Sequence, residues 1–290
     1  MDGWANLPQE LLLQILAEHL GWERCACSTM RATCVAWRCA TDSAVPSLQV
    51  KSWPSSTRGF PSITSLEVAS CGELTDMGLR HALGSGHLAK VQKLSLGRCC
   101  KLTDGGMRSL RSLPALSHLH LELCGDSVSS DSVQATAALT ALRSLRLSDA
   151  VIDCRTVYTA LAEATTITSL HIQDCCDHSD ECNCESEEVD VAYALSKLSL
   201  ESLTLTDETL TVLWKLASVK LTTLTTLKIS ADDADEEEHA ALLHLLLTNK
   251  SLVTLDLDGY GALTDEHVDS LRGALGDCPW FRTNGVCPVH

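Results

Sequence analysis

The sequence has few aromatic residues and no long apolar run. Phe, Trp and Tyr make up 4% of the 290 residues, although hydrophobic residues reach 45%. Leu, Val, Ile and Ala must therefore fill the core, which is typical of repeat solenoids with a ladder of leucines. The most apolar stretch, near 240–247, is interrupted by His244 and is too short to cross a bilayer. We expect no membrane-spanning segment.

Basic residues are also scarce. The chain has 22 Lys and Arg against 38 Asp and Glu, which gives a formal net charge of −16 with His neutral. It contains no stripe rich in Lys or Arg that would offset the repulsion of a phosphate backbone. We therefore expect neither nucleic acid nor an anionic membrane surface as a partner.

The first residues, Met1 to Pro8, lack the basic segment and apolar core of a secretory signal. Without such a signal, the 15 cysteines are better interpreted as reduced thiols than as a disulfide framework. These features predict a cytoplasmic or nuclear location, or both.

A pattern of the form apolar-x-x-Leu-x-Leu, with Val or Ile in some Leu positions, occurs eight times. The matches begin at Ile63, Val91, Leu116, Leu142, Ile167, Leu200, Leu224 and Leu252. Alternating apolar residues predict a short strand with one buried face, and the following apolar residues, such as Leu79 and Leu83, have helical spacing. One strand and one helix per period of roughly 20–29 residues indicate a leucine-rich repeat.

The ninth position of four repeats is a cysteine, and a small thiol suits a tight apolar turn. These cysteines are Cys71, Cys99, Cys124 and Cys175. Two repeats continue with Leu-Thr-Asp, and the last repeats this motif at Leu263, where the Thr-Asp step predicts a helix cap. The block 62–278 resembles the cysteine-containing subclass of leucine-rich repeats that is commonly attached to F-boxes.

Residues 4–50 do not follow the repeat. They contain Leu7-Pro8, Glu10-Leu11, Ile15-Leu16 and Cys34-x-x-Trp37-Arg38, with Pro at a predicted helix start. This segment resembles an F-box, the helical module that docks on the Skp adaptor of cullin-based ubiquitin ligases. The resemblance implies adaptor contacts at Leu7, Pro8, Glu10, Leu11, Ile15, Leu16 and Trp37. The alternative is a helical cap that seals the N-terminal edge of the solenoid.

The expected fold class is α/β, a solenoid of about eight leucine-rich repeats with a curved parallel sheet and outer helices. We predict an F-box-like helical module over 1–50, a connector over 51–61 and the solenoid over 62–278. An acidic, Cys-containing insertion is predicted near 174–190, and a C-terminal tail over 279–290.

The strands of such a solenoid line its concave side, and residues between the paired apolar positions face outward there. That row reads Glu67, Ser95, His120, Arg146, His171, Thr204, Lys228 and Asp256, and the row before it includes Lys93 and His118. We hypothesise that His118, His120, Arg146, His171 and Lys228 receive an acidic or phosphorylated segment of a substrate, with Arg146 as a bidentate anchor. The alternative is that these positions are polar only because they are exposed to solvent.

The segment from Cys175 to Cys184 collects potential zinc ligands, but their spacing matches no common structural zinc pattern. Its neighbourhood, 174–190, has eight carboxylates and no Lys or Arg, so we interpret it as a solvated loop without metal. The sequence contains no nucleophile elbow, phosphate-binding glycine loop or His-Glu-x-x-His motif. We therefore expect no catalytic residues and no cofactor.

The resemblance implies a non-catalytic substrate-recognition subunit of a Skp-cullin-F-box ubiquitin ligase, whose partners are the Skp adaptor, through it cullin, and an unknown target protein. Two alternatives stay open. One is a ligase-independent scaffold or inhibitor whose N-terminal helices only cap the solenoid, and the other is a metal- or redox-responsive protein that uses the Cys175–Cys184 loop.

Overall fold

The computed structural model describes residues 47–51, 62–122, 130–148, 160–173, 191–206, 221–230, 236–258, 265–275 and 280–283. Ten strands in these ranges form one sheet, in which each strand pairs in parallel with the next along the chain. The strands are β1 (Ser47–Val50), β2 (Ser65–Val68), β3 (Lys93–Leu96), β4 (His118–Glu122), β5 (Ser144–Ser148), β6 (Ser169–Gln173), β7 (Ser202–Thr206), β8 (Thr226–Ser230), β9 (Thr254–Asp258) and β10 (Trp280–Thr283).

Helices follow most of these strands. They are α1 (Asp76–Gly84), α2 (Asp104–Ser109) with a 3-10 turn at Leu110–Ser112, α3 (Ser130–Ala137), α4 (Val191–Ser196), α5 (Glu236–Thr248) and α6 (Asp265–Leu275). Sequence-adjacent helices contact each other in the pairs α1–α2, α2–α3 and α5–α6. No helix in these ranges is long and apolar enough to cross a membrane.

The leucine ladder explains the register of the sheet. Leu66 pairs with Leu94, Leu94 with Leu119, and the same position continues through Leu145 to Leu255. Each of these side chains is buried and belongs to a single continuous core. Since side chains alternate along a strand, the opposite face of the sheet carries the intervening polar residues.

This strand, turn and helix repeat agrees with the predicted leucine-rich-repeat solenoid, and all eight predicted strands are present. Two further strands were missed. Strand β1 lies inside the range predicted as a helical module, and β10 lies inside the predicted tail. The spacing of Val45, Leu48 and Val50 does fit the repeat pattern, whereas in β10 a Phe replaces the leucine, since Phe281 pairs with Leu255.

The turn after β3 brings two backbones very close together. Gly97 donates its N–H to the carbonyl oxygen of Val68 at 2.8 Å. A Cβ atom at Gly97 would lie 2.7 Å from the carbonyl oxygen of Ala69, so no larger residue fits without moving the backbone. Arg98 follows with a φ of 53°, which reverses the chain towards the next turn.

The buried cysteine position is confirmed at Cys71 and Cys99, each only 1% exposed. The backbone N–H of Cys71 donates to the carbonyl oxygen of Gly97 at 2.7 Å. A side-chain hydrogen bond with Cys99 lowers the pKa of Cys71, burial opposes this, and the backbone contact at Gly97 lowers it further. The corresponding residues Cys124 and Cys175 lie outside the described residues.

The predicted Thr caps are confirmed at α1 and α2. Thr75 Oγ accepts from the N–H of Gly78 at 3.3 Å, and Thr103 Oγ accepts from the N–H of Gly105 at 3.2 Å. Each hydroxyl satisfies a helix N–H that has no partner within the helix. The same motif in the last repeat, Thr264-Asp265, begins outside the described residues.

Candidate functional site

One face of the sheet covers the core, and we call the other face, predicted to be concave, the open face. Its central row is in register from strand to strand. The row consists of Gln49, Glu67, Ser95, His120, Arg146, His171, Thr204, Lys228 and Asp256, and its register continues to Arg282 on β10. The side chains from Gln49 to Asp256 are exposed or half-buried, whereas from β2 to β9 their neighbours on each strand are buried.

Three of the five predicted patch residues lie side by side in this row. His120 pairs with Arg146, and Arg146 pairs with His171 on the next strand. Lys228 lies two strands beyond His171, and His118 lies two residues before His120 on β4. Since neighbouring strands are roughly 4.8 Å apart, His120 and His171 flank Arg146 within contact range of one ligand.

Arg146 is exposed and donates from Nη2 to Oε1 of Gln173 at 3.2 Å. Within the ranges that the structure describes, no carboxylate lies within ion-pair distance of its guanidinium. Lys228, by contrast, lies 3.4 Å from Asp256. The centre of the open face thus carries an arginine whose charge is not neutralised by a described neighbour.

The three histidines have lowered pKa values. Burial lowers the pKa of His171 to about 4, helped by the positive charge of Arg146, while a hydrogen bond with Gln173 opposes the shift. Burial and then Arg146 lower the pKa of His120, with Glu67 opposing, and burial and then Lys93 lower the pKa of His118. At neutral pH these imidazoles are uncharged hydrogen-bonding groups, so among the predicted patch residues the positive charge comes from Arg146 and from Lys228, which is paired with Asp256.

His120 is held by two serines whose contacts with it were not predicted from the sequence. Ser95 Oγ lies 3.0 Å from Nδ1, and Ser148 Oγ lies 3.2 Å from Nε2. A serine beside a histidine resembles part of a catalytic triad, but a triad needs a carboxylate or comparable group that orients the imidazole. Both ring nitrogens of His120 contact hydroxyls, so the two serines fix the orientation of the ring.

Gln173 is another residue that sequence reasoning missed. It stands two positions after His171 on β6, and the two-residue period of a strand puts it on the same face. Because its side chain accepts from Arg146, it fixes the direction of the guanidinium.

The other predicted site residues are not described. Leu7, Pro8, Glu10, Leu11, Ile15, Leu16 and Trp37 lie outside the described residues, as does the segment 175–184. In the part of the chain that the structure describes, no three His, Cys, Asp or Glu side chains are grouped closely enough to hold a metal ion.

No protein-family model matches the sequence, and no curated protein matches it either. Among solved structures, the chain is similar to the crystal structure of an internalin from Listeria monocytogenes, with 15% identity and a TM-score of 0.37. The match covers 91% of this chain and 88% of the internalin. Because the sequence identity and the TM-score are both low, we assign the leucine-rich-repeat solenoid from the strands, register and turns of this chain.

Proposed function

We propose that this chain is a protein-binding receptor that holds its partner on the open face of the sheet. The observation that carries the proposal is the central row, where polar side chains stand in register across consecutive strands and no element of the described chain covers Arg146. A parallel sheet normally has both faces covered, so a sheet with one polar, solvent-facing side presents a ready surface for another protein.

More specifically, we propose that the chain is the substrate-recognition subunit of a Skp-cullin-F-box ubiquitin ligase. The support for this step is the sequence of residues 4–50, which resembles an F-box in Leu7-Pro8, Glu10-Leu11, Ile15-Leu16 and the Trp37-Arg38 end motif. In this proposal the N-terminal segment binds the Skp adaptor and the repeats bind the target. Ubiquitin transfer is the chemistry of the partner enzyme, so this subunit needs no catalytic group of its own.

A pull-down of the tagged full-length chain with purified Skp adaptor tests the proposal. The wild type is expected to retain the adaptor, and a Leu7→Ala/Pro8→Ala variant with unchanged circular dichroism is expected to lose it. Leu247→Ala is a matched control, since Leu247 is an exposed leucine on α5, 55% accessible and far along the chain from the motif. It is expected to bind as the wild type does.

Failure of both the wild type and the control to retain the adaptor would contradict the ligase proposal. The scaffold alternative would then become the better account, in which the N-terminal segment only caps the solenoid. It predicts that removing residues 1–46 lowers the stability of the repeats without abolishing capture of a partner by the open face.

A further inference from the structure

We propose that Arg146, oriented by Gln173, forms a binding site for the phosphate group of a phosphorylated serine or threonine in the partner protein. This inference rests on the proposed role of the open face as a protein-binding surface. It goes further because it names the chemistry of the ligand and the residue that binds it.

The Arg146 guanidinium is available to an anionic ligand. It is exposed on the central row, has no carboxylate within ion-pair distance among the described residues, and uses Nη2 to contact Gln173 at 3.2 Å. The remaining N–H groups stay available for a planar, two-point contact with an oxyanion. Gln173 reduces the freedom of the long side chain, so less rotamer entropy is lost when the ligand binds.

The groups around Arg146 strengthen its attraction to an anion. On either side stand His120 and His171, both half-buried and both uncharged at neutral pH because burial and Arg146 lower their pKa values. Half-buried neutral rings lower the local dielectric around the guanidinium, which strengthens its attraction to an anion compared with a fully hydrated arginine. A bound dianion would also oppose the effect of Arg146 on His171 and raise the pKa of that imidazole.

The carboxylates on the open face favour a compact anion over an extended acidic segment as the ligand. Glu67 lies three strands from Arg146 on one side, and Asp256 lies four strands away on the other. At about 4.8 Å per strand, these two carboxylates lie roughly 14 to 19 Å from Arg146 along the row. A third carboxylate on the same face, Glu122, lies one strand from Arg146 and two residues along, where it pairs with Ser148. A run of Asp or Glu crossing the strands would meet these carboxylates, whereas a single phosphate would place its charge at Arg146 alone. The net charge of −16 repels both kinds of anion.

The carboxylates at the ends of the patch also predict which residues flank the phosphate in the partner protein. Because Glu67 and Asp256 carry negative charge at the two ends of the patch, neutral or basic flanking residues complement the open face better than acidic ones. The inferred ligand is therefore a phosphorylated residue in a segment that lacks Asp and Glu.

The test measures binding of labelled peptide pools to the full-length chain by fluorescence polarisation at about 0.15 M salt. One pool has a central phosphoserine and degenerate flanks that contain Lys and Arg but no Asp or Glu. The second pool has serine in its place, and a third probe is an oligoglutamate of equal length. We expect the phosphoserine pool to bind about tenfold or more tightly than either comparison probe.

Two variants that each remove one positive charge test whether Arg146 is the residue that binds the phosphate. Arg146→Gln is expected to weaken binding of the phosphoserine pool about tenfold or more, as loss of a charge-assisted contact requires. Arg111→Gln, which removes an exposed arginine from the 3-10 turn, is expected to leave that binding within about twofold. Arg146 is exposed, so its replacement does not threaten folding.

Three results would overturn the inference: no measurable binding of the phosphoserine pool, equal binding of the pool and the oligoglutamate, or equal losses in Arg146→Gln and Arg111→Gln. Adaptor capture, measured in parallel, separates this inference from the proposed function. Retained adaptor with no phosphate preference would refute the phosphate site alone, whereas phosphate binding without adaptor capture would refute the ligase proposal alone.

Discussion

The carboxylate of Asp76 on helix α1 caps helix α2 of the next repeat through Thr103. The N–H of Thr103 donates to Asp76 Oδ1 at 2.9 Å, and its hydroxyl donates to Oδ2 at 2.6 Å. The same hydroxyl accepts from the N–H of Gly105, so the chain of hydrogen bonds ends inside α2. Asp104 on α2 likewise contacts the helix of the following repeat, since it accepts from Ser132 Oγ on α3 at 2.5 Å. The Thr-Asp motif therefore caps one helix and links two repeats.

Replacing Asp76 by Ala is expected to lower the free energy of unfolding by about 1–2 kcal/mol, because Thr103 loses the acceptor for both of its donors. The urea midpoint of the full-length chain measures this change. Asp269→Ala is the control, since Asp269 is 78% exposed beside Arg272 and should cost about 0.5 kcal/mol or less. Equal midpoints for both variants would show that the Asp76 contact does not link the repeats.

The absence of a side chain at Gly106 leaves space for the carboxylate of Asp76. A Cβ atom there would lie 2.5 Å from Oδ1 of Asp76, so Gly106→Ala is expected to destabilise the fold by about 1–3 kcal/mol despite the better helix propensity of Ala. Gly273→Ala on α6 has nothing within 4 Å and is expected to stabilise it by about 0.5–1 kcal/mol. In the Asp76→Ala background the cost at Gly106 should shrink, and purely additive effects would contradict this mechanism.

Asn249 is a buried polar side chain, 4% exposed, that joins two repeats. Its Oδ1 accepts from the N–H of Leu221, and its Nδ2 donates to the carbonyl oxygen of Leu245 at 2.9 Å. Asn249→Leu is expected to cost about 1–3 kcal/mol because it leaves a buried backbone N–H without a partner. Chemical denaturation measures the loss, and a variant as stable as the wild type would contradict the proposed link.

The pKa of His171 predicts a pH dependence of stability. The folded value of about 4 lies below the ordinary 6.5, so between these values the unfolded chain binds a proton that the folded chain does not. Through this group, stability is expected to fall as pH drops from about 6.5 to about 4 and to change no further below that. NMR titration, with His171→Gln to identify the signal, measures the value.

In Arg146→Gln the pKa of His171 is expected to rise, because the guanidinium is the largest charge that lowers it. Arg111→Gln is the matched control and should leave the midpoint unchanged. A wild-type midpoint near 6.5, or the same midpoint in both arginine variants, would contradict the electrostatics described for the open face.

The sequence period was sufficient to predict the eight inner strands and the order His120, Arg146, His171, because a two-residue alternation inside a constant pattern fixes the register. Strand β10 was not predicted because Phe281 replaces the leucine of the pattern. The contact of Asp76 with Thr103 could not be read from either repeat alone. It depends on how closely α1 and α2 approach, and this approach requires that Gly105 and Gly106 have no side chain.

For the candidate site, the sequence was sufficient to predict the polar row but not which of its side chains are charged. Burial, and the proximity of Arg146, decide that His120 and His171 are neutral, and neither quantity can be obtained from residue spacing. The support that Ser95, Ser148 and Gln173 give to the patch likewise depends on distances across strands and between side chains.

We propose that the chain joins two separate binding surfaces, an adaptor-binding segment near the N-terminus and the open face of the repeats. Calorimetric titration of purified Skp adaptor into the full-length wild type, the Leu7→Ala/Pro8→Ala variant and the Arg146→Gln variant tests it most directly. We expect one adaptor per chain with the same affinity for the wild type and Arg146→Gln, and no binding by the Leu7→Ala/Pro8→Ala variant. No heat of binding with the wild type, or equal binding by all three proteins, would contradict the account.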